Sequence, residues 1–499
     1  MRQPLALFPA KSPISCLFVS STLVASAALS GLAACSSDDG AGDDAAISLP
    51  ATYAFSSQLK AGASSVAYTG QVQRQLLIHQ ISELMEGATD AIDGGKAPKA
   101  GELEASLLFL YDFDPTTGGG AAIGWETTPP SLQSTWGDLG SDARLSNKIA
   151  GKDAIGQHRD WETKGLLGWP EAKGPDALIR GWIKEFDKRA VDRAAGKIGT
   201  GADGKPLASV QVTEQGHNLQ ELVQKLLLGA VAYSQAADDY LDDDTPGKGL
   251  LSDHSKGEED GDAATALEHA WDEAFGYFGA ARDYGDYSAA DLAGNSTGAR
   301  NKGVFDTDGD GKIDLRSEAN YGFANYCGRR DDAAAAIAPT KMKQRVWDAF
   351  RRGRTRLAAT KPGAVPTATL TALKADRDDA LRAWEECIAA NVIHYSNEAL
   401  GDLAKAAAGK GWDHAEAAGH WSEAKAFALA LQFSRFSMLS EAQLEELHAK
   451  MGDAPTLGNA DAAAIAKAQA DLRAARQLVV DAYGFDAKLR GDDNGEGGW

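Results

Sequence analysis

Apolar residues recur every three or four positions along most of the chain, beginning near Gly70. In the first such segment they form one continuous stripe along a helix. The stripe consists of Val72, Leu76, Leu77, Ile81, Leu84 and Met85. The alternation of apolar and polar residues that marks a half-buried strand does not persist over any length. The pattern therefore predicts an all-α protein.

The same spacing predicts further helices, which Gly- and Pro-containing loops separate. They are 101–112, 176–196, 217–243, 262–283, 331–358, 366–407, 413–434, 440–450 and 460–484. The loop 113–140 is long for a compact domain, and such loops are commonly functional or cap a core. We predict an N-terminal helical lobe over 51–283 and a C-terminal helical lobe over 331–485. An insertion over 284–330 separates them, and a loose tail over 486–499 ends the chain.

Residues 1–34 have the features of a lipoprotein signal peptide. Two basic residues precede an apolar run, which is followed by the lipobox LAAC ending at Cys35. We expect cleavage before Cys35, lipidation of this cysteine and a flexible acidic tether over 35–50. An ordinary secretory signal is the alternative. A lipid anchor attaches a protein to a membrane without spanning it, and Ser36 rather than an aspartate favours the outer over the inner membrane of a bacterial envelope.

The net charge of the chain limits the kinds of molecule that it can bind. The full chain has 50 basic and 71 acidic residues and a net charge of −21; removal of residues 1–34, which contain two basic and no acidic residues, makes it −23. Nucleic acid is disfavoured as a partner because phosphates need clustered Lys and Arg. An acidic envelope protein instead concentrates cations near its surface. The partners we expect are the membrane through the lipid anchor, a metal ion or metal-bearing small molecule, and an envelope transport protein.

Cys327 and Cys387 are the cysteines left in the mature region, because Cys16 leaves with the signal peptide and Cys35 carries lipid. Two such cysteines in an oxidising compartment tend to pair. A disulfide between them would stabilise the fold by about 3–4 kcal/mol. Two buried free thiols are the alternative.

Seven of the nine histidines have a carboxylate three or four residues downstream, one helical turn away. Imidazole and carboxylate groups on facing helices form divalent-metal sites in helical bundles. The candidate metal ligands are His269 with Asp272 and Glu273, His420 with Glu423, His217 with Glu221, and His394, which Glu398 follows. A fifth pair, His79 with Glu83, lies on the first helix. For each pair the alternative is an ordinary intrahelical contact, worth a few tenths of a kcal/mol.

The segment VFDTDGDGKIDLRSEAN has the spacing of an EF-hand calcium loop. Positions one, three, five, seven and nine are Asp306, Asp308, Asp310, Lys312 and Asp314. Gly311 occupies position six, where the chain must turn sharply. Position twelve is Ser317 rather than the usual bidentate glutamate, and Glu318 follows one residue later. We predict a variant calcium loop that stiffens the insertion, with a solvated Asp/Gly turn as the alternative.

Several catalytic motifs are absent from the sequence. It has no phosphate-binding P-loop, no His-Glu-x-x-His zinc-protease motif and no Cys-x-x-Cys-His haem motif. We therefore assign no catalytic residue.

Six strings along the mature chain together resemble a bacterial lipoprotein family of unknown function. They are SSVAYTGQVQRQLLIHQISELM, GHNLQELVQKLLLGA, HAWDEAFGYFGAARD, DTDGDGKIDLRSEANYGFANYCGRRD, AANVIHYSNEAL and HWSEAKAFALALQFS. More distantly, the chain is similar to imelysin-like proteins. This resemblance implies a helical protein with two bundle-like lobes that is associated with iron acquisition.

The hallmark of imelysin-like proteins is a Gly-x-His-x-x-Glu segment that is taken as a metal site. His269 and Asp272 match its histidine and its acid, but Leu267 stands in place of the glycine. His420 and Glu423 keep the spacing, although their glycine directly precedes the histidine. Both departures weaken a peptidase function, whereas Asp and Glu both remain suitable metal ligands.

These observations predict a lipid-anchored envelope protein that binds iron, zinc or another divalent metal and is associated with iron uptake. Mixed histidine and carboxylate donors favour such metals over magnesium. One alternative is an imelysin-like metallopeptidase, in which a histidine–acid pair holds zinc. The other is an adhesion or scaffold lipoprotein without a small ligand. The convergence of the histidine–acid pairs in space distinguishes these functions.

Overall fold

The computed structural model describes residues 47–141, 143–152 and 157–499, and this part of the chain is all-α, as predicted. The helices are α1 (Thr69–Asp93), α2 (Glu102–Tyr111), α3 (Pro115–Gly118), α4 (Trp136–Leu139), α5 (Trp161–Lys164), α6 (Gly174–Ala194), α7 (Leu219–Leu227), α8 (Ala266–Phe278), α9 (Ala289–Ala293), α10 (Gly322–Ala334), α11 (Met342–Ala359), α12 (Thr367–Ala407), α13 (His414–Ala430), α14 (Glu441–Met451) and α15 (Ala462–Tyr483). Extended segments in the described ranges form only isolated bridges. The signal peptide, Cys35 and the tether up to residue 46 lie outside the described residues.

The 41-residue helix α12 is the centre of the C-terminal half, where it packs against α10, α11, α13 and α15. Every residue from Ala383 to Ile393 is buried because neighbouring helices cover this stretch on all sides. Cys387 lies within it and forms a disulfide with Cys327 of α10, with the two Cα atoms 5.0 Å apart. The bond fastens α10 to the most buried part of the longest helix.

Helix α7 continues into π-helical turns at 228–233 and 236–240, where the sequence predicts one α-helix over 217–243. π-Helical turns insert an extra residue and are frequent at functional sites. Gly229 lets the first turn pack closely against α13: a Cβ added there would lie 2.5 Å from the Cβ of Ala430. The second turn carries the buried carboxylate of Asp238.

One cluster of buried apolar side chains extends from Tyr53 to Trp499. It includes helices from both predicted lobes. The indole nitrogen of Trp271 in α8 donates to the carbonyl of Phe350 in α11 at 2.9 Å, and α7 packs against α13. Polar residues of α7 and α8 are therefore placed against those of α13 and α11.

Two further predicted segments differ from the structure. The predicted helix 331–358 is replaced by α10 and α11, which the residues around Pro339 separate because proline lacks the N–H that a helix needs. The tail 486–499, which we expected to be loose, is held at Leu489 and Trp499. Trp499 is buried, and its indole donates to the Arg330 carbonyl at 2.9 Å. Within the described ranges, no helix has both the length and the apolar character needed to cross a bilayer.

Candidate metal centre and the histidine–carboxylate pairs

The calcium-like loop, residues 306–318, brings three carboxylates together. One oxygen from each of Asp306, Asp308 and Glu318 lies within 4.8 Å of the others. In the part of the chain that the structure describes, no other group of three His, Cys, Asp or Glu side chains meets this condition. Oxygens at this separation can share a calcium ion at about 2.3–2.6 Å. Glu318 thus lies beside the first two acids, and its two oxygens accept from the N–H groups of Thr307 and Asp314, each at 2.7 Å.

Hydrogen bonds within the loop hold the turn that a calcium loop requires. Asp306 accepts from the N–H groups of Gly309 at 2.7 Å and Gly311 at 2.9 Å. Gly311 has a φ of +83°, which favours glycine because it has no Cβ. Asp308 accepts from the N–H of Asp310 at 3.0 Å. The backbone is therefore folded around the first carboxylate.

The other predicted loop residues have different partners. Asp310 accepts from the N–H of Lys312 at 2.8 Å. Asp314 accepts from the side-chain amide of Gln133 at 2.7 Å and from the N–H of Arg316 at 3.0 Å. The three converging carboxylates therefore do not include Asp310 or Asp314.

The calcium-like loop is bonded to the long loop 113–140. The N–H of Leu132 donates to the Ile313 carbonyl at 2.8 Å, and the N–H of Ile313 donates to the Pro130 carbonyl at 3.0 Å. The side-chain oxygen of Gln133 accepts from the N–H of Leu315 at 2.9 Å. A change in the order of the calcium-like loop would therefore be transmitted to residues 130–133.

Asp272, predicted as a metal ligand, is engaged by a buried arginine. Its Oδ1 accepts from Arg354 Nε at 2.9 Å and from the Tyr53 hydroxyl at 2.8 Å. Glu268 accepts from another nitrogen of Arg354 at 2.8 Å. Burial raises the pKa of Asp272, and the charge of Arg354 opposes this shift. The cation that neutralises these acids is the guanidinium of Arg354 and not a bound metal.

His269 and Glu273 lie at the edge of this cluster. His269 Nε2 is 3.8 Å from Glu273 Oε2. Glu273 also accepts from the amide of Gln71 at 2.6 Å, and burial raises the pKa of its carboxyl. This pair shares no third ligand, since Asp272 is bound to Arg354.

Glu221 and Glu423 do come together, but with a lysine between them. The ammonium of Lys225 is ion-paired with Glu221 and lies 3.2 Å from Glu423 Oε1. Burial by itself would lower the pKa of Lys225, yet Glu221 and the other negative groups around it raise this pKa well above its usual range. The side chain is only 4 % exposed. An internal ammonium thus stands where a metal would bridge these two acids.

His420 lies on α13, and His394 lies near it on α12. His420 Nδ1 is 2.7 Å from Asp402 Oδ2. Burial opposes protonation of His420, but the Asp402 hydrogen bond and charge outweigh it and raise the pKa. Burial and the positive charges of Arg330 and His420 lower the pKa of His394 to about 3, and its Nδ1 is buried without a partner. His394 is therefore neutral at physiological pH.

His217 is held between aromatic rings and not against Glu221. Its ring centroid lies 5.6 Å from that of Trp169 and 5.5 Å from that of Trp421. Its Nε2 is 3.0 Å from the Asp453 carbonyl. Burial lowers the pKa of His217, so that the neutral ring is favoured in this packing.

The residues that neutralise the predicted ligands were missed at the sequence level. Lys225 lies three residues from both Leu222 and Leu228, and Arg354 lies four residues after Phe350. Helical spacing places both cations on apolar faces, where a charge needs a partner. That spacing was a signal for buried ion pairs.

Residues 173–295 match a family described as Domain of unknown function (DUF4856). This segment runs from the residue before α6 to just beyond α9, and it includes His217, Glu221, His269 and Asp272. The chain has no match among curated proteins or among solved structures.

Proposed function

We propose that this chain is a lipid-anchored cell-envelope protein that binds a divalent cation, and that the cation at the calcium-like loop is Ca²⁺. The convergence of Asp306, Asp308 and Glu318 is the observation that carries the proposal. An all-oxygen donor set favours a hard cation over iron or zinc. Water and backbone carbonyls can complete the shell, since Ca²⁺ takes about six to eight oxygen ligands.

The role of calcium in this proposal is structural. Three carboxylates at short range repel one another, and a bound dication removes that repulsion. The loop is bonded through Ile313 and Leu315 to residues 130–133. Calcium would therefore order the calcium-like loop and the long loop 113–140 together.

The test is a calorimetric titration of Ca²⁺ into chelator-treated protein. We expect one saturable site, and Asp308→Asn should weaken it by roughly ten-fold or more, because affinity follows the ligand charge. Glu446→Gln is the matched control, since it removes one exposed negative charge on α14. The absence of saturable heat, or equal affinity in Asp308→Asn and the control, would exclude this site.

The anchor part of the proposal is supported by the lipobox and the acidic tether that follows it. Cys35→Ala should convert a membrane-associated protein into one released from membranes by osmotic shock. Mass spectrometry of the mature N-terminus gives the lipid mass directly. An unmodified Cys35 in membrane fractions would contradict lipid anchoring.

Iron uptake is a second proposal with narrower support. The neighbouring His394 and His420 favour it, because the charge of His420 acts on His394. In that proposal, lobes 51–283 and 331–485 correspond to an imelysin-like plan and share one apolar core. Elemental analysis of protein purified without chelator tests it. Less than about a tenth of an equivalent of iron, zinc or manganese after reloading would count against it.

A non-catalytic scaffold lipoprotein is favoured by one specific observation. The predicted acids Asp272, Glu221 and Glu423 are already neutralised by Arg354 and Lys225. The same observation counts against a metallopeptidase built on Asp272 or Glu423, which would need that acid to be free beside its histidine. Calcium binding without transition-metal retention would favour this structural role.

A further inference from the structure

A cavity of about 200 Å³ lies between segments 157–167 and 432–444. Its lining contains none of the residues in the calcium-like loop or in the five helical histidine–acid pairs. Four of the lining side chains are basic, namely His158, Arg159, Lys164 and Arg435, and Glu441 is the one acid among the lining residues. In a chain with a net charge of −21, four basic side chains thus lie together, and three of them are paired with carboxylates.

Asp238 fastens the two walls of the cavity together. This carboxylate is fully buried in the second π-helical turn. Its Oδ1 accepts from the N–H of Arg435 at 3.0 Å, and its Oδ2 is hydrogen-bonded to Nδ1 of His158. A carboxylate on one ring nitrogen fixes the orientation of an imidazole and directs the other nitrogen outward. Nε2 of His158 is thus the ring atom left for a ligand.

The two arginines are also held in place by neighbouring side chains. Arg159 donates to Glu441 at 2.6 Å, and its guanidinium stacks on the Trp161 ring at 5.4 Å. Arg435 is 2.6 Å from Asp244 and 3.7 Å from Asp242, so that two acids share its charge. A guanidinium has five N–H donors, so one carboxylate leaves others free for a second acceptor. The exposed Lys164 adds a further positive charge to the lining.

We propose that this cavity binds a small oxyanion, the phosphate or carboxylate group of a soluble ligand, through Arg159, Lys164 and Nε2 of His158. The cavity is smaller than the roughly 300 Å³ at which drug-sized ligand pockets begin. It therefore takes a compact anionic group. Serine hydroxyls from Ser434 and Ser437, also in the lining, supply neutral hydrogen-bonding groups.

Calorimetric titration of the mature protein with inorganic phosphate, and separately with malonate, tests the proposal at low ionic strength. Saturable binding of either anion supports it and identifies the preferred group. Lys164→Gln and Arg159→Gln should each weaken binding by roughly ten-fold. Lys467→Gln is the control, because it removes the same charge from a side chain that is 78 % exposed on α15.

If Arg159→Gln loses its packing on Trp161 and the fold is lost, the Lys164→Gln variant still tests the proposal. A second readout is the NMR signal of the His158 ring, which should shift on addition of the preferred anion and be absent from His158→Gln. Failure of both anions to saturate overturns the proposal. Equal weakening by Lys164→Gln and Lys467→Gln also overturns it, because the binding would then follow net charge alone.

Discussion

Arg354 Nε lies 2.9 Å from Asp272 Oδ1, and both side chains are completely excluded from water. Asp272 follows His269 by one helical turn, which is the spacing of a metal-ligand pair. The structure instead joins it to a guanidinium from a helix 82 residues away in sequence. A buried carboxylate needs a cation, and here the fold supplies one.

Arg354→Gln should therefore destabilise the fold by about 3–5 kcal/mol, because it leaves Asp272 and Glu268 buried without their cation. Urea unfolding followed by circular dichroism measures the change. Arg382→Gln, which removes a half-exposed arginine paired with Glu386, should cost less than about 1 kcal/mol. Similar losses in the two variants would contradict this account of the cluster.

Removal of the disulfide should lower the free energy of unfolding by about 4 kcal/mol, since the bond closes a loop of 60 residues. Cys327→Ala combined with Cys387→Ala tests this in urea. A reducing agent should lower the melting temperature of the parent protein but not that of the double variant. An equal response of both proteins would show that the reductant acts elsewhere.

Calcium should slow backbone amide exchange at Leu132 and Ile313, because each donates its N–H across the contact between the two loops. Hydrogen–deuterium exchange with and without Ca²⁺ measures this effect. In Asp308→Asn the addition of calcium should leave exchange at these amides unchanged. Protection confined to 306–318 would show that the long loop is not coupled to the site.

Two histidines should give pH dependences of opposite sign. Burial lowers the pKa of His79 from 6.5 to about 4, so the unfolded chain binds a proton that the folded chain does not. Stability should fall as pH drops from 6.5 towards 4, by up to about 1.4 kcal/mol per pH unit from this residue. His79→Gln should flatten that fall in urea unfolding curves.

His420 behaves in the opposite way because Asp402, against the effect of burial, raises its pKa above the ordinary value. Its contribution to stability is present below pH 6.5 and is lost as pH rises through the folded-state pKa. His420→Gln should therefore destabilise the protein more at pH 6 than at pH 9. A difference of the other sign would mean that the Asp402 contact does not dominate.

The calcium-like loop could be found from the sequence because its spacing is local. The Asp306 and Asp308 positions and the shift of the final acid to Glu318 are all visible within thirteen consecutive residues. The sequence could not predict that Asp314 bonds to Gln133 and not to the other loop carboxylates' site. Its partner Gln133 is 181 residues away, and no local pattern specifies which loop packs there.

The sequence by itself determined the position of most helices, because the spacing of apolar residues reports a buried face whatever lies against it. The disulfide that it predicted between Cys327 and Cys387 is present in the structure. Only the tertiary structure decided which charges meet. Glu221 and Glu423 converge on Lys225, and Asp272 on Arg354, because the rotation and crossing of packed helices set those partners. One helix's sequence does not contain that geometry.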